Sequence, residues 1–409
     1  MNRPTILVIA GLLVSLMAGP AFGEKTRVER DEMEAMKNKL EQLEKAIEKK
    51  TSPASADKDD SQWYRKMDVA LGATGVLQRS SGVQKRLGPD GDTTAGSASF
   101  ELELTLPVPD NGTFYSLFEA GPGDGIDGII PTISGFNDTP VDDDNVGLAE
   151  LWYEHTWIEK RLRFRVGKID ITTDFDTSAV ANSSADQFLS GAFANNLVVE
   201  FPDDNGFGAM LWISPADIWG IGIGVADADA GWDKVTEDIF SIIELDLKPK
   251  IAGREGNYRI YGWFNGKDHE NLLDPNKTKE DNYGFGLSFD QQITDTVTLF
   301  ARYGRQRSSV SRVEQAWSAG LQFAVDFYGR QDDAFGLAYG QSVIGDAGEK
   351  LDRTNSIDTA DEHHLEIYYN FKVNDHLNIT PDIQWVKNPD GDRDNDDLWA
   401  FALRARLTF

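Results

Sequence analysis

The chain contains no cysteine. That excludes a disulfide framework, a thiolate metal site and a lipid-bearing cysteine behind a leader. Basic charge is scarce: 40 Lys and Arg face 68 Asp and Glu, a formal net charge of −28. This balance argues against nucleic acid as a partner, a role that asks for a basic face. Histidine is rare, five in all, and the adjacent His363 and His364 would point to opposite faces of a strand, a poor metal pair. No Ser–His arrangement recommends itself. Paired carboxylates such as Asp174 and Asp176 are too ordinary in so acidic a chain to argue glycoside hydrolysis. Asp390–Asp397 and Asp142–Asp144 are oxygen-rich, but the first lacks a closing bidentate Glu and carries Arg393 among its would-be ligands. Both read as solvated loops, so no enzyme, no cofactor and no metal are expected.

Long apolar runs are also lacking. Thr5 to Met17 is one, behind Arg3 and ahead of Ala21-Phe22-Gly23. It is too short to span a bilayer as a mature helix, so Met1–Gly23 reads as a signal peptide cleaved before Glu24. An uncleaved anchor is the alternative. No later run reaches roughly eighteen apolar residues, so a membrane form would have to be a barrel.

What is present begins with a helix. Met33, Met36, Leu40, Leu43 and Ile47 are spaced 3-4-3-4, the a/d seam of a heptad, among Glu and Lys. So short a helix is marginal alone. Residues 24–50 are therefore expected to pair with copies of themselves, a homotrimer first; a single frayed helix is the alternative. Residues 51–62 are a polar linker.

From residue 63 to 409 the period changes to two, the side-chain period of a strand. In the last segment Trp399, Phe401, Leu403, Ala405, Leu407 and Phe409 share one face, and Arg404 and Arg406 lie on the other. Sixteen such candidate strands follow one another, and nearly every second connection is long while the rest are tight turns. A soluble sandwich gives no reason for that alternation. The expected fold is all-β, a sixteen-stranded antiparallel transmembrane β-barrel with a short N-terminal coiled-coil segment. An even count puts both barrel ends at one rim, the periplasmic one, with the helix hanging there within reach of the cell wall. The outer face would meet lipid and lipopolysaccharide, and the terminal Phe409 suits recognition by the barrel-assembly machinery. Pro381 falls inside a strand, where it removes a ladder donor, and a local bulge is expected.

Alternation also assigns the inner face. It receives Glu150, Trp152 and Glu154, then Arg161, Arg163 and Arg165, and later Arg259, Trp263, Arg302, Arg404 and Arg406, with Tyr261 and Tyr368. Both charge signs with aromatics suit neutral, hydroxyl-rich solutes better than selection of one ion. The competing reading is that these charges only pair across strands and solvate the wall. The longest connection, 170–205, holds Phe175, Phe188, Leu189, Phe193 and Phe201. That is too apolar for water, so it should fold inward and narrow the pore, with Ser184–Phe193 as a short helix.

Gly167-Lys168-Ile169-Asp170, then Phe175-Asp176, Ala181-Asn182 and Gln187-Phe188-Leu189, resemble the hallmark stretch of the carbohydrate-selective porin family. Residues 377–389 followed by Gly391 resemble that family's penultimate strand and loop. The resemblance implies an outer-membrane barrel passing monosaccharides and related sugars by facilitated diffusion, with loops 121–146 and 170–205 constricting it. Asp170, Asp176, Asn182 and Gln187 thereby join the candidate pore lining. The heptad helix lies outside the resemblance. Two rival functions remain: a barrel-anchored tether whose helix grips the cell wall, and a non-selective porin for ions and small solutes.

Overall fold

The computed structural model describes residues 63–141, 145–202, 204–232, 235–325, 329–330 and 332–409. The expected leader, heptad helix and linker lie outside them. Each period-two segment forms a strand. In order these are β1 (Asp68–Ser81), β2 (Thr94–Val108), β3 (Gly112–Ala120), β4 (Gly147–Trp157), β5 (Leu162–Ile169), β6 (Gly206–Ala216), β7 (Trp219–Asp227) and β8 (Ile239–Leu247). There follow β9 (Arg254–His269), β10 (Glu280–Gln292), β11 (Val297–Gln306), β12 (Val313–Val325), β13 (Asp333–Ile344), β14 (Glu362–Asn374), β15 (Leu377–Lys387) and β16 (Leu398–Thr408). A two-residue ladder, Lys250–Ile251, folds back on Arg254 and Glu255 inside the turn before β9.

Every strand pairs antiparallel with its neighbour in sequence, and β1 pairs with β16 from Gly72↔Thr408 to Ser81↔Trp399. The sheet is closed, with no free edge for every backbone group to satisfy in lipid. Segments 121–146 (L2) and 170–205 (L3) are long connections on one rim; 109–111, 158–161 and 217–218 are turns on the other. On β16, Trp399, Phe401 and Leu403 are exposed to the outside while Leu398, Ala400, Ala402 and Arg404 are buried within. Phe409 stacks on His376 at 5.0 Å and exchanges backbone hydrogen bonds with Leu71.

The bulge expected at Pro381 is absent. Tyr368↔Asp382 and Phe371↔Ile379 share one register across it, and only the rungs between them are missing. Pro381 keeps its place opposite Leu403. Lacking an N–H, it deletes hydrogen bonds without inserting a residue.

The barrel is filled by its own loops. Ile126, Ile130 and Phe136 of L2 pack on Val386, Leu398 and Ala400 of the wall. Ile171 and Phe175 of L3 pack on Met210, Trp212 and Tyr261. Phe188 meets Phe193, Phe300 and Tyr368 with centroids 5.5, 5.5 and 4.9 Å apart, contacts worth about 0.5–1.5 kcal/mol each beyond area burial. The helix expected over Ser184–Phe193 shrinks to α1 (Gly191–Ala194), capped by Ser190. Upstream, the amides of Asn182 and Ser183 donate to Gln187 Oε1 at 2.7 and 3.2 Å. That side chain offers the backbone a turn in place of a helix. On the outer rim, α2 (Asp346–Thr354) is tied through Asp352 to Arg312, which also reaches Asp390.

Candidate permeation site

Alternation turns every second side chain inward, and L3 uses many of the polar ones as fasteners. Arg302 on β11 donates to Asp176 Oδ1 at 3.2 Å, to Asp176 O at 2.8 Å and to Phe193 O at 2.6 Å. The Asp176 carboxylate also accepts from the Tyr261 hydroxyl at 2.7 Å and from the Asn196 amide at 2.6 Å. Asp176 itself has φ 58°, a left-handed conformation that Asp tolerates better than most residues. Glu244 accepts from the Asp176 amide, Glu366 from the amides of Leu189 and Ser190, and Arg404 donates to the carbonyls of Ser184 and Gln187. L2 is held the same way: Glu362 accepts from the amides of Ile133 and Ser134 at 2.9 and 2.8 Å.

The loops leave a gap along the wall from β2 to β5. A cavity of about 300 Å³ is lined there by Ser99, Glu101, Glu119, Asp138, Lys168 and Ser184, among others. Arg406 spans from Glu101 at 3.4 Å to Asp186 of L3 at 3.5 Å. On the same wall, Arg163 and Arg165 form a closed quartet with Glu154 and Asp174, with contacts of 2.5 to 3.2 Å. Trp152 stacks on Tyr115 at 4.8 Å and lies under the Arg165 guanidinium at 4.0 Å. Its indole N–H donates to Glu150 at 2.9 Å. The arrangement offers carboxylate acceptors and guanidinium donors beside this gap.

The family model of the carbohydrate-selective porins, the OprB family, matches residues 87–409. The chain belongs to that family. It is 21% identical over 313 residues to "Putative porin QuiX" of Acinetobacter baylyi, covering 64% of this chain and 69% of that one. It is 20% identical over 319 residues to "Porin B" of Pseudomonas aeruginosa, covering 64% and 68%. The solved high-pH structure of Pseudomonas putida OprB superposes with a TM-score of 0.75 at 17% identity, over 84% of this chain and 94% of that one. The molecule is an outer-membrane channel.

Within this OprB-family barrel the predicted lining residues divide. Glu150, Trp152, Glu154, Arg163 and Arg165 come together on β4 and β5, with Asp170 beside Glu150 through its amide at 3.3 Å, while Arg406 on β16 reaches Glu101. Asp176, Arg302 and Arg404 are buried and fasten L3 instead of meeting open water. Arg259 is matched by Glu244 at 2.6 Å, Asn182 and Gln187 close the turn inside L3, and Trp263 is buried in the wall cluster. Arg161 is no lining residue. It precedes β5 and holds the β6–β7 turn through Pro215 O at 3.1 Å and Asp217 at 3.3 Å.

The aromatic readings change too. Tyr261, Trp263 and Tyr368 lie over inward glycines of adjacent strands: a Cβ at Gly286, Gly284 or Gly336 would fall 2.2, 2.9 or 2.1 Å from their rings. Trp152 is stacked between Tyr115 and Arg165. Lys168 and Glu119, absent from the predicted lining, border the gap, as does Glu101, which the same alternation turns inward. Glu119 could have been found, because it pairs with the inward Glu101 across β2 and β3.

Two L2 carboxyls add a pH dependence. Burial lifts Asp127 to about 7 against the pull of the Phe136 and Asn137 amides. Burial, then the nearby Asp170, lifts Asp138 to about 6. An acid whose folded pKa lies above its unfolded value of 3.8 holds more protons when folded, so the loop loses stability as pH climbs between those values. L2 should be tightest below about pH 4 and loosest above about pH 7, read as hydrogen-exchange protection at 126–137 that falls as pH rises. Asp127→Asn, which keeps an acceptor for Phe136, should flatten that profile; an unchanged slope would remove Asp127 from the account.

Proposed function

We propose that this OprB-family porin admits neutral sugars down their gradient through the gap between L3 and the β2–β5 wall. The observation that carries the reading is the narrowing itself. A loop pinned by buried contacts brings Asp186 to Arg406, Ser184 to the cavity bordered by Glu101, and Asp174 to Arg163 and Arg165. Hydroxyl groups can accept from guanidinium and donate to carboxylate there without displacing a buried charge. Because the wall charges already pair with one another, such contacts are weak and quickly exchanged, as conduction requires. The start of β1 and the end of β16 lie at the short-turn rim, which supports reading the preceding segment, with its heptad seam, as periplasmic.

The test is single-channel conductance in planar bilayers titrated with a panel of sugars. Glucose or a related monosaccharide should block the ion current in a saturable way, at millimolar concentration or above. Current that falls only as bulk viscosity rises, identically for every sugar, would sink the proposal and leave an unselective pore.

A further inference from the structure

We infer that the same gap also sorts solutes by charge, repelling anionic sugars such as uronates and sugar phosphates and favouring neutral and ammonium-bearing ones. This rests on the gap being the conducting path. The sequence suggests a lining of mixed sign, but the structure withdraws the cations from it. Arg302 is buried on Asp176, Arg259 on Glu244, and Arg404 on two loop carbonyls. Arg163 and Arg165 are matched one to one by Glu154 and Asp174.

What lines the cavity is then acidic. Glu101, Glu119, Asp138 and Asp204 border it, against Lys168 as the cation among its described lining residues. Arg406 is shared between Glu101 and Asp186. Glu119 stands opposite Glu101 in the β2–β3 ladder, so the two carboxyls share one stretch of the cavity wall. Lys168 is partly spent on the Leu148 carbonyl at 2.8 Å. A gap of this size keeps a solute within about 8 Å of these carboxylates, the screening length at physiological salt. Its walls focus the field further. An anion is excluded by the same groups that accept a sugar hydroxyl.

The experiment is the permeability ratio of potassium to chloride for the full-length protein in bilayers under a salt gradient, at low and high ionic strength. The wild type should prefer potassium severalfold, less at high salt. E119Q should lower the ratio and E101Q/E119Q should bring it near unity, while K168M should raise it. Each variant is checked for a heat-modifiable band, the mark of an intact barrel. Glucosamine should block at lower concentration than glucose, and glucuronate at higher. Chloride preference, or a ratio untouched by E101Q/E119Q in folded protein, would overturn the inference. The two readings fail separately: potassium preference without sugar block removes the sugar path alone, and sugar block without potassium preference removes the charge sorting alone.

Discussion

Arg302→Ala should yield a channel that conducts more and flickers more than the wild type, with sugar block weakened or lost. The guanidinium is 2% exposed and the Asp176 carboxylate 0%. Removing the arginine leaves a buried carboxylate with the Tyr261 hydroxyl and the Asn196 amide as its donors. Uncoupling a buried pair in this way costs about 3–5 kcal/mol. The strand ladders do not depend on it, so the cost falls on L3. The segment from Phe175 to Phe193, which Arg302 joins through Asp176 and the Phe193 carbonyl, should detach from the wall and widen the gap. The paired replacement Arg302→Met with Asp176→Asn removes both charges, keeps an acceptor for the Asn196 amide and suits the left-handed backbone at 176, so it should be milder. Conductance and noise in bilayers, with gel mobility before and after boiling to certify the barrel, decide the matter. A folded Arg302→Ala protein with wild-type conductance would show that L3 is held without this pair.

Arg404 and Arg406 show how far the sequence could be read. Alternation correctly turned both inward from β16. It could not say that Arg404 would be buried beneath Ser184 and Gln187 while Arg406 would stand at the gap. Face is a local property with period two; depth under a loop depends on where L3 descends, which no stretch of sequence encodes alone. The apolar content of 170–205 did announce that the loop folds inward. It did not announce that the inward arginines and carboxylates would be consumed in receiving it. A usable signal was present in the glycines. Gly220, Gly222 and Gly224 recur at alternate inward positions of β7, beside Trp212 on β6 and beneath Phe175 of L3. Inner-face glycine beside an inner-face aromatic marks a wall that is packed flat, not a wall offered to solute. Arg161 failed for a simpler reason: its strand begins one residue later, and a rim residue has no face to inherit.

Gly286→Val tests that glycine rule and reaches L3 by a different route. A Cβ at Gly286 would lie 2.2 Å from the Tyr261 ring, so the ring must move. Overpacking of this kind costs about 1–3 kcal/mol. Tyr261 carries the hydroxyl that donates to Asp176 and accepts from Asn196 Nδ2 at 2.8 Å. Displacing the ring therefore withdraws a donor from the same carboxylate that Arg302 serves. The expected phenotype is a weaker copy of Arg302→Ala: raised conductance, reduced sugar block and a barrel that still folds. Gly262→Val on the neighbouring strand is the control, since its nearest contact would be 3.9 Å away, and it should behave as wild type. The mechanism predicts coupling. Once Tyr261→Ala has removed ring and hydroxyl together, adding Gly286→Val should change conductance little, because the ring that transmits the push is gone. Strictly additive effects in that cycle would mean the valine acts on the wall itself, and that the glycine spares the strand more than the loop.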